Sequence, residues 1–309
     1  MRWYAIGCLI PALLFGMPAA ALAEMTGDYF SIGNSPGQPK PSPRLAVAID
    51  GNRATYYSHG RELELMPEAK YKGIGKYTGE LNGRYRPEID RIKQMLANHE
   101  IASVRGRNIG SVLRYSFERN GARYEGALQY RSSDEIAGKL VVFAEIAQDL
   151  LADGIPEINL HPAFDVHSAA RNLVIDIVLG NDGAQDVVID GPEKWSPKLG
   201  LWSDQYAQIH AWNDSGVEFR VALSEKYLSP ASRMHASAIS VKPGQKIRVE
   251  FSVPYDELAF APGSSGQQIG SGSYRIAGSV KLNIQSPEVM SGKIVTPMDT
   301  LPAVELTER

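Results

Sequence analysis

The sequence predicts two consecutive folding units, an α+β N-terminal domain over residues 44–157 and an all-β sandwich over residues 171–292. Before Gly154, apolar residues recur at helical spacing in two places, and segments of strand-like alternation stand beside them. From Leu173 onward the helical period disappears. Short alternating segments separated by turn residues then follow one another, which is typical of a two-sheet sandwich.

The N-terminus has the order of a secretory signal. Arg2 precedes an apolar stretch from Tyr4 to Phe15, and small residues then lead to an A-x-A pattern that ends at Ala23. We expect cleavage after Ala23, which makes residues 1–23 a signal peptide and the mature chain periplasmic or secreted. Because the apolar stretch is shorter than the roughly 20 residues of a membrane-spanning helix, we expect no membrane span after cleavage.

The composition excludes several kinds of chemistry. The one cysteine of the 309 residues, Cys8, lies inside the predicted signal, so the mature chain has no thiol for disulfides, metal ligation or redox catalysis. The formal net charge of −3 is too small to favour nucleic acid as a partner. No phosphate loop, calcium loop or nucleophile elbow has its required spacing, and we expect no cofactor.

The predicted N-terminal domain begins after a proline-rich segment. Residues 24–43 have the composition of an extended tether. Alternating residues on both sides of Asp50-Gly51 predict a hairpin, and Glu62–Met66 predicts a third strand. The segment Lys70–Gly83 is rich in Gly, Tyr and Lys without a clear period, and we interpret it as a surface loop.

Two helices and a second hairpin complete this domain. Pro87 stands in the first turn of an apolar stripe that ends near Asn98. Asn120-Gly121 separates two alternating segments and predicts the clearest hairpin of the chain. Ser132 and Glu135 form an S-x-x-E capping box before a second helical stripe.

Strands account for the predicted C-terminal unit. Its alternation is clearest in four segments, which are Leu173–Leu179, Tyr206–Trp212, Ile247–Val253 and Tyr274–Ile284. Residues 158–170 are interpreted as a linker between the two units, and residues 293–309 as a tail.

The C-terminal unit also carries a resemblance. Val241–Phe251 places a Pro-Gly turn before an alternating strand, and Gly272–Ile276 follows as a Gly-x-Tyr strand. This ending resembles that of bacterial immunoglobulin-like modules, including those similar to the intracellular proteinase inhibitor type, and it implies an immunoglobulin-like sandwich. The insertion Pro254–Gly272 departs from the pattern, so no inhibitory loop is carried over. In its order of elements the N-terminal half resembles uncharacterised exported bacterial proteins, which implies no activity.

One segment has the residue types of a metal site. His161, Asp165 and His167 lie close together, and in an extended segment Asp165 and His167 point to the same side. Imidazole with carboxylate is a suitable set for zinc or manganese. The competing interpretation is an interdomain linker with surface histidines.

Aromatic and basic residues provide the candidate binding surfaces. Trp195 and Trp202 fall in a segment rich in Pro and Gly that predicts a loop, and Tyr206 follows at the start of a strand. If these aromatic residues form a partner surface, the loop tryptophans are its exposed contacts, whereas Trp212, within the strand, is core. The alternative is that the whole aromatic cluster is core.

The region from Arg84 to Arg131 has an excess of basic residues, among them Arg105 and Arg107. These charges predict either a surface for an acidic partner or ordinary solvated faces.

These observations favour a non-enzymatic exported binding protein that recognises a protein or a cell-envelope polymer. Two alternatives remain. The resemblance and the loops Lys70–Gly83 and Pro254–Gly272 also fit an inhibitor or immunity protein against a toxin or protease. The set His161, Asp165 and His167 fits a metal-dependent hydrolase.

Overall fold

The computed structural model of the chain describes residues 27–34, 45–58, 74–98, 111–199, 205–260, 271–287, 290, 292–295 and 299–306. The protein is mostly β and has two antiparallel sheets. The α-helices of the described residues all belong to the N-terminal half: α1 (Arg86–Ala97), α2 (Glu135–Lys139) and α3 (Val141–Asp153). Within the described ranges, no helix has the length and apolar character needed to cross a membrane.

The strands follow one another closely along the chain. In chain order they are β1 (Asp28–Asn34), β2 (Leu45–Asp50), β3 (Arg53–Ser58), β4 (Ile74–Glu80), β5 (Ser111–Arg119), β6 (Ala122–Tyr130), β7 (Ile155–Ala169), β8 (Asn172–Asn181), β9 (Val187–Asp190), β10 (Tyr206–Trp212), β11 (Glu218–Leu223), β12 (Ala238–Val241), β13 (Lys246–Pro254), β14 (Ala259–Phe260), β15 (Gly272–Ser286), β16 (Gly292–Val295) and β17 (Asp299–Leu306).

Among the described residues, nine strands form the first sheet, in the order β13-β8-β7-β4-β3-β2-β1-β5-β6. The second sheet has the order β12-β9-β15-β10-β11-β14, and β16 and β17 also pair with β15. The first sheet therefore runs through both of the units that the sequence predicts, because β8 and β13 come from the C-terminal unit and join the strands of the N-terminal one.

The first sheet has a different layer on each face. On one face, side chains such as Phe30, Val47 and Tyr77 form a core cluster with Ile92 of α1 and Phe143 of α3. On the other face, the buried side chains belong to a cluster that continues into the second sheet; it includes Ile158, Leu160, Ile175, Ile177, Ile209 and Val280. Burial of these apolar surfaces is the main stabilising contribution to the arrangement.

Two segments expected outside regular structure are strands. The tether prediction for residues 24–43 is wrong over Asp28–Asn34, because β1 pairs with β2 on one side and β5 on the other. Its Phe30 is only 1% exposed, so burial of an aromatic side chain outweighs the loop-like composition around it. The loop prediction for Lys70–Gly83 is wrong over Ile74–Glu80, which is β4 and lies between β3 and β7.

The linker and tail predictions are also wrong at the level of secondary structure. Residues 158–169 belong to β7, which pairs with β4 at its start and with β8 along its later part. Residues 292–295 and 299–306 are β16 and β17, both paired with the long strand β15. The secondary structure of these segments is determined by pairing with strands far away in the sequence, which local composition does not indicate.

Several local predictions are confirmed. The β5–β6 hairpin turns at Asn120 and Gly121, which have φ of 51° and 73°. Helix α1 begins next to Pro87 and ends before Asn98.

The second helical stripe is divided into α2 and α3 at Leu140. Its N-cap is Asp134, which forms no side-chain cap hydrogen bond, so the capping-box prediction is wrong. The signal peptide of residues 1–23 and the strand predicted at Glu62–Met66 lie outside the described residues.

Candidate functional site

A charged surface lies at one end of the first sheet, on strands β7, β8 and β13. Antiparallel pairing places Asp165 opposite Asp176, and on the other side of β8 it places Glu250 opposite the same Asp176. Arg248 is two residues from Glu250 along β13, and His167 is two residues from Asp165 along β7. Because side chains alternate between the faces of a strand, these five residues share one face, which we call the open strand face.

The opposite face of the same strands is apolar. Ile175, Ile177 and Phe251 are fully buried in the core that joins the two sheets. The strict alternation of β8 therefore directs every second side chain away from the core. On the open strand face, Asp165, His167 and Arg248 are exposed, whereas Asp176 is buried.

Three potential ligand groups converge on this face. One carboxylate oxygen of Asp165, one of Asp176 and one ring nitrogen of His167 all lie within 4.8 Å of one another. The convergence follows from the register, since directly paired residues on neighbouring antiparallel strands have closely spaced Cβ atoms. The two exposed members lie on β7, and the buried one lies opposite Asp165 on β8.

Asp176 is the unusual member of the group. It is 1% exposed, and no described residue forms a hydrogen bond with either of its carboxylate oxygens. Arg248 Nη1 lies 3.2 Å from Asp176 Oδ2 as an ion pair, but the Arg248 side chain is itself 62% exposed. Burial raises the pKa of Asp176; Arg248 opposes this rise, and the neighbouring Glu250 and Asp165 add to it.

The hairpin that holds the group has a strained turn. Ala170 and Arg171 connect β7 to β8 with φ of 47° and 64°, in the left-handed region that residues with a Cβ rarely adopt. The backbone N–H of Tyr255 donates to the carbonyl oxygen of Arg171 at 3.1 Å, and the hydroxyls of Ser168 and Tyr255 are hydrogen-bonded. The surrounding structure thus fixes the turn and with it the register that brings Asp165 to Asp176.

The predicted metal set is corrected in one member. Asp165 and His167 lie together as expected, but His161 is four residues away along β7, a separation of about 13 Å at the usual rise of a strand. His161 Nε2 instead lies 3.3 Å from Asp182 Oδ2. Asp176 takes its place in the group. The signal that could have identified Asp176 is a carboxylate inside the apolar run of β8, but its partner depends on a hairpin that the sequence does not indicate.

The predicted aromatic surface is wrong at Trp195 and Tyr206. Trp195 is 2% exposed, its ring lies 5.8 Å from that of Phe251, and its Nε1 donates to the backbone oxygen of Asp190 at 2.9 Å. Tyr206 is 6% exposed. Trp212, expected to be core, is only partly buried and packs against His210.

The remaining predicted binding residues lie outside the described ranges. They are Trp202, Arg105 and Arg107. The same holds for residues 70–73 and 261–270 of the two loops on which the inhibitor alternative depends.

A second buried aspartate has a different environment. Asp190, 4% exposed, accepts hydrogen bonds from Lys194 at 2.7 Å, Gln205 at 2.8 Å and Asn283 at 3.0 Å, and also from Gln285. Burial alone would raise the pKa of Asp190, but the hydrogen bonds from these four side chains outweigh it and lower the pKa. This carboxylate ties the end of β9 to Lys194, to Gln205 just before β10, and to Asn283 and Gln285 of β15, so the fold uses it fully.

Comparison of the chain with protein-family models and with curated proteins finds no match.

Proposed function

We propose that the chain is a non-enzymatic exported binding protein, periplasmic or secreted, whose partner is a protein or a cell-envelope polymer and whose contact surface is the open strand face. We interpret the fold in the same terms. The helices and the strands beneath them form an α+β N-terminal part, and β7, β8 and β13 with the second sheet form an immunoglobulin-like sandwich.

The observation that carries this proposal is the state of Asp176. A buried carboxylate without hydrogen bonds costs folding free energy, and such groups are rare in native proteins unless they have a functional role. Perturbed ionisable groups of this kind cluster at functional sites. The position of Asp176, below a surface of exposed charged side chains, favours a contact with a ligand or partner.

The charges around Asp176 favour a polar partner. Asp165, His167 and Arg248 are exposed and present both signs of charge within one small area. Such a surface gives orientation and specificity to an interaction more than raw affinity. A polymer or protein surface with charged groups of both signs fits it.

Binding to isolated envelope components tests the proposal. Purified cell-wall sacculi and detergent-solubilised envelope protein are mixed separately with the full chain, and bound protein is measured by sedimentation or by biolayer interferometry. The double variant Asp165→Asn/Arg248→Gln should weaken binding by about 10-fold or more, since it removes two charges from the contact surface.

The matched control is Asp214→Asn/Arg275→Gln. These two side chains form an exposed ion pair at 2.7 Å on the second sheet, so the control removes the same charges from a different surface. It should bind as the wild type does. Equal binding by both double variants, or no binding by the wild-type chain to either material, would contradict the proposed contact surface.

The convergence of Asp165, His167 and Asp176 favours a second candidate, a metal-dependent hydrolase. Three protein ligands that leave a coordination position open can hold an ion that activates water. Metal-dependent hydrolysis of peptide, ester or peptidoglycan substrates by the wild-type chain, lost in His167→Gln, would replace the binding proposal with this one.

A further inference from the structure

The buried carboxylate of Asp176 has no cation within the described ranges that satisfies it by a hydrogen bond. Arg248 contacts Asp176 from one side at 3.2 Å, but this contact does not have hydrogen-bond geometry, and more than half of the Arg248 side chain is exposed. Asp165 and Glu250 add negative charge on both sides of Asp176 through the strand register. The local charge therefore favours a compact cation at the convergence point.

We propose that Asp165, His167 and Asp176 form a binding site for one divalent transition-metal ion of the zinc and manganese class, open to solvent on the side away from the sheet. The site concerns the ion alone and does not depend on the proposed partner. Its three ligands come from two paired strands of one rigid hairpin, and the buried ligand is fixed while the two exposed ones can adjust.

The ligand types decide the class of ion. One imidazole nitrogen with two carboxylate oxygens is a set that suits zinc and manganese. Calcium takes six to eight oxygen ligands, and the three converging side chains supply only two carboxylates and a nitrogen. Magnesium is coordinated by oxygen and keeps most of its water, so it has little use for the imidazole of His167.

The distances are compatible with closure around an ion. Around a tetrahedral zinc ion with bonds of about 2.1 Å, ligand atoms lie about 3.4 Å apart. The three ligand atoms are already within 4.8 Å of one another. Side-chain rotation of the exposed Asp165 and His167 that moves their ligand atoms by up to about 1.4 Å supplies the difference, and the buried carboxylate of Asp176 stays in place.

Equilibrium binding of the metal to the full chain tests the site. The chain is produced with its N-terminal segment so that any processing occurs in the cell, and it is purified without a histidine tag and treated with EDTA. Zn²⁺ and Mn²⁺ are then titrated by calorimetry and by dialysis with elemental analysis, with Ca²⁺ as the comparison ion. We expect one Zn²⁺ or Mn²⁺ per chain, no comparable uptake of Ca²⁺, and a zinc-induced change in the imidazole NMR signals of His167.

Variants of the two exposed ligands separate the site from surface histidines in general. Asp165→Asn and His167→Gln should each weaken zinc binding by at least about 10-fold without loss of the folded circular dichroism spectrum. The matched control is His161→Gln/Asp182→Asn, which removes the same residue types from the neighbouring pair on the same hairpin. It should bind zinc as the wild type does.

Three results would overturn the site. One is the absence of stoichiometric zinc and manganese binding by the wild-type chain. Another is a control variant that loses as much affinity as His167→Gln, because the ion would then belong to His161 and Asp182. The third is unchanged affinity in both Asp165→Asn and His167→Gln. If the metal binds as proposed and envelope binding is absent, the metal site stands and the proposed function alone fails.

Discussion

Asp176 and Asp190 are both almost completely buried aspartates, yet they differ in their hydrogen bonds and in the direction of their pKa shifts. Asp190, at the end of β9 in the second sheet, accepts hydrogen bonds from four side chains, and these bonds lower its pKa. Asp176, in the middle of β8 in the first sheet, accepts none from the part of the chain that the structure describes, and its burial raises its pKa. A carboxylate satisfied by the fold is a structural element, whereas a carboxylate left unsatisfied indicates a role outside the fold.

The difference has a geometric origin. Asp190 lies at the end of β9 beside β15, so donors reach it from the turn that holds Lys194, from Gln205 before β10, and from two residues of β15. Asp176 lies inside a regular ladder, where its strand neighbours on the same face are Asp165 and Glu250, two further acids. This ladder places three acids side by side, and among the described residues only the exposed Arg248 is close enough to compensate, so a bound ligand would complete the compensation.

The largest expected effect concerns the aromatic residue beside Asp190. Trp195→Ala should lower the free energy of unfolding by about 3 to 5 kcal/mol, because it removes a buried indole and the hydrogen bond to the backbone of Asp190. Trp212→Ala, at a partly buried position, should cost about 1 to 2 kcal/mol. Urea denaturation followed by circular dichroism measures both. If Trp212→Ala lowers the free energy of unfolding more than Trp195→Ala does, Trp212 is the core residue, as the sequence predicted. The region around Asp190 would then contribute less to stability than the structure indicates.

The next effect tests Asp190 itself and has a defined pH dependence. Asp190→Asn should lower the free energy of unfolding by about 3 kcal/mol at neutral pH, because the charged acceptor of four donors is lost. The folded pKa of Asp190 lies below its unfolded value of about 3.9. Its contribution is therefore complete above that value and is lost as the pH falls through the lowered folded pKa.

The stability of the wild-type chain and of Asp190→Asn should accordingly converge as the pH is lowered below about 4. Urea midpoints measured between neutral and acid pH give the difference directly. A constant difference over this range would show that Asp190 contributes through packing rather than charge.

Local sequence patterns predicted the elements that depend on only a few neighbouring residues. The β5–β6 hairpin was predictable because Asn120 and Gly121 tolerate positive φ, and α1 because Pro87 and a helical stripe mark it. The hairpin of β7 and β8 was missed because Ala170 and Arg171 adopt the same kind of turn without turn-forming side chains. Pro162 within β7 also weakens the local strand pattern, since proline cannot donate to a strand ladder.

Two of the three converging residues, Asp165 and His167, could be predicted from the sequence for the same reason. Asp165 and His167 are two residues apart, and the period of a strand is enough to place them on one side. Asp176 joins them only through the β7–β8 register, which is a pairing between strands rather than a local pattern. The burial of Trp195 likewise depends on contact with Phe251 of a distant strand, and its loop-like neighbours gave the opposite indication.

Urea denaturation at neutral pH with EDTA present compares Asp176→Asn with Asp190→Asn and most directly tests whether Asp176 serves a ligand. Replacing the unsatisfied charge by a neutral side chain of the same shape relieves its desolvation cost, so Asp176→Asn should leave the free energy of unfolding unchanged or raise it by up to about 1 kcal/mol. Asp190→Asn should lower it by about 3 kcal/mol under the same conditions. If Asp176→Asn instead destabilises the protein as much as Asp190→Asn does, Asp176 is a structural carboxylate. This result would contradict the proposal that the open strand face is a ligand site.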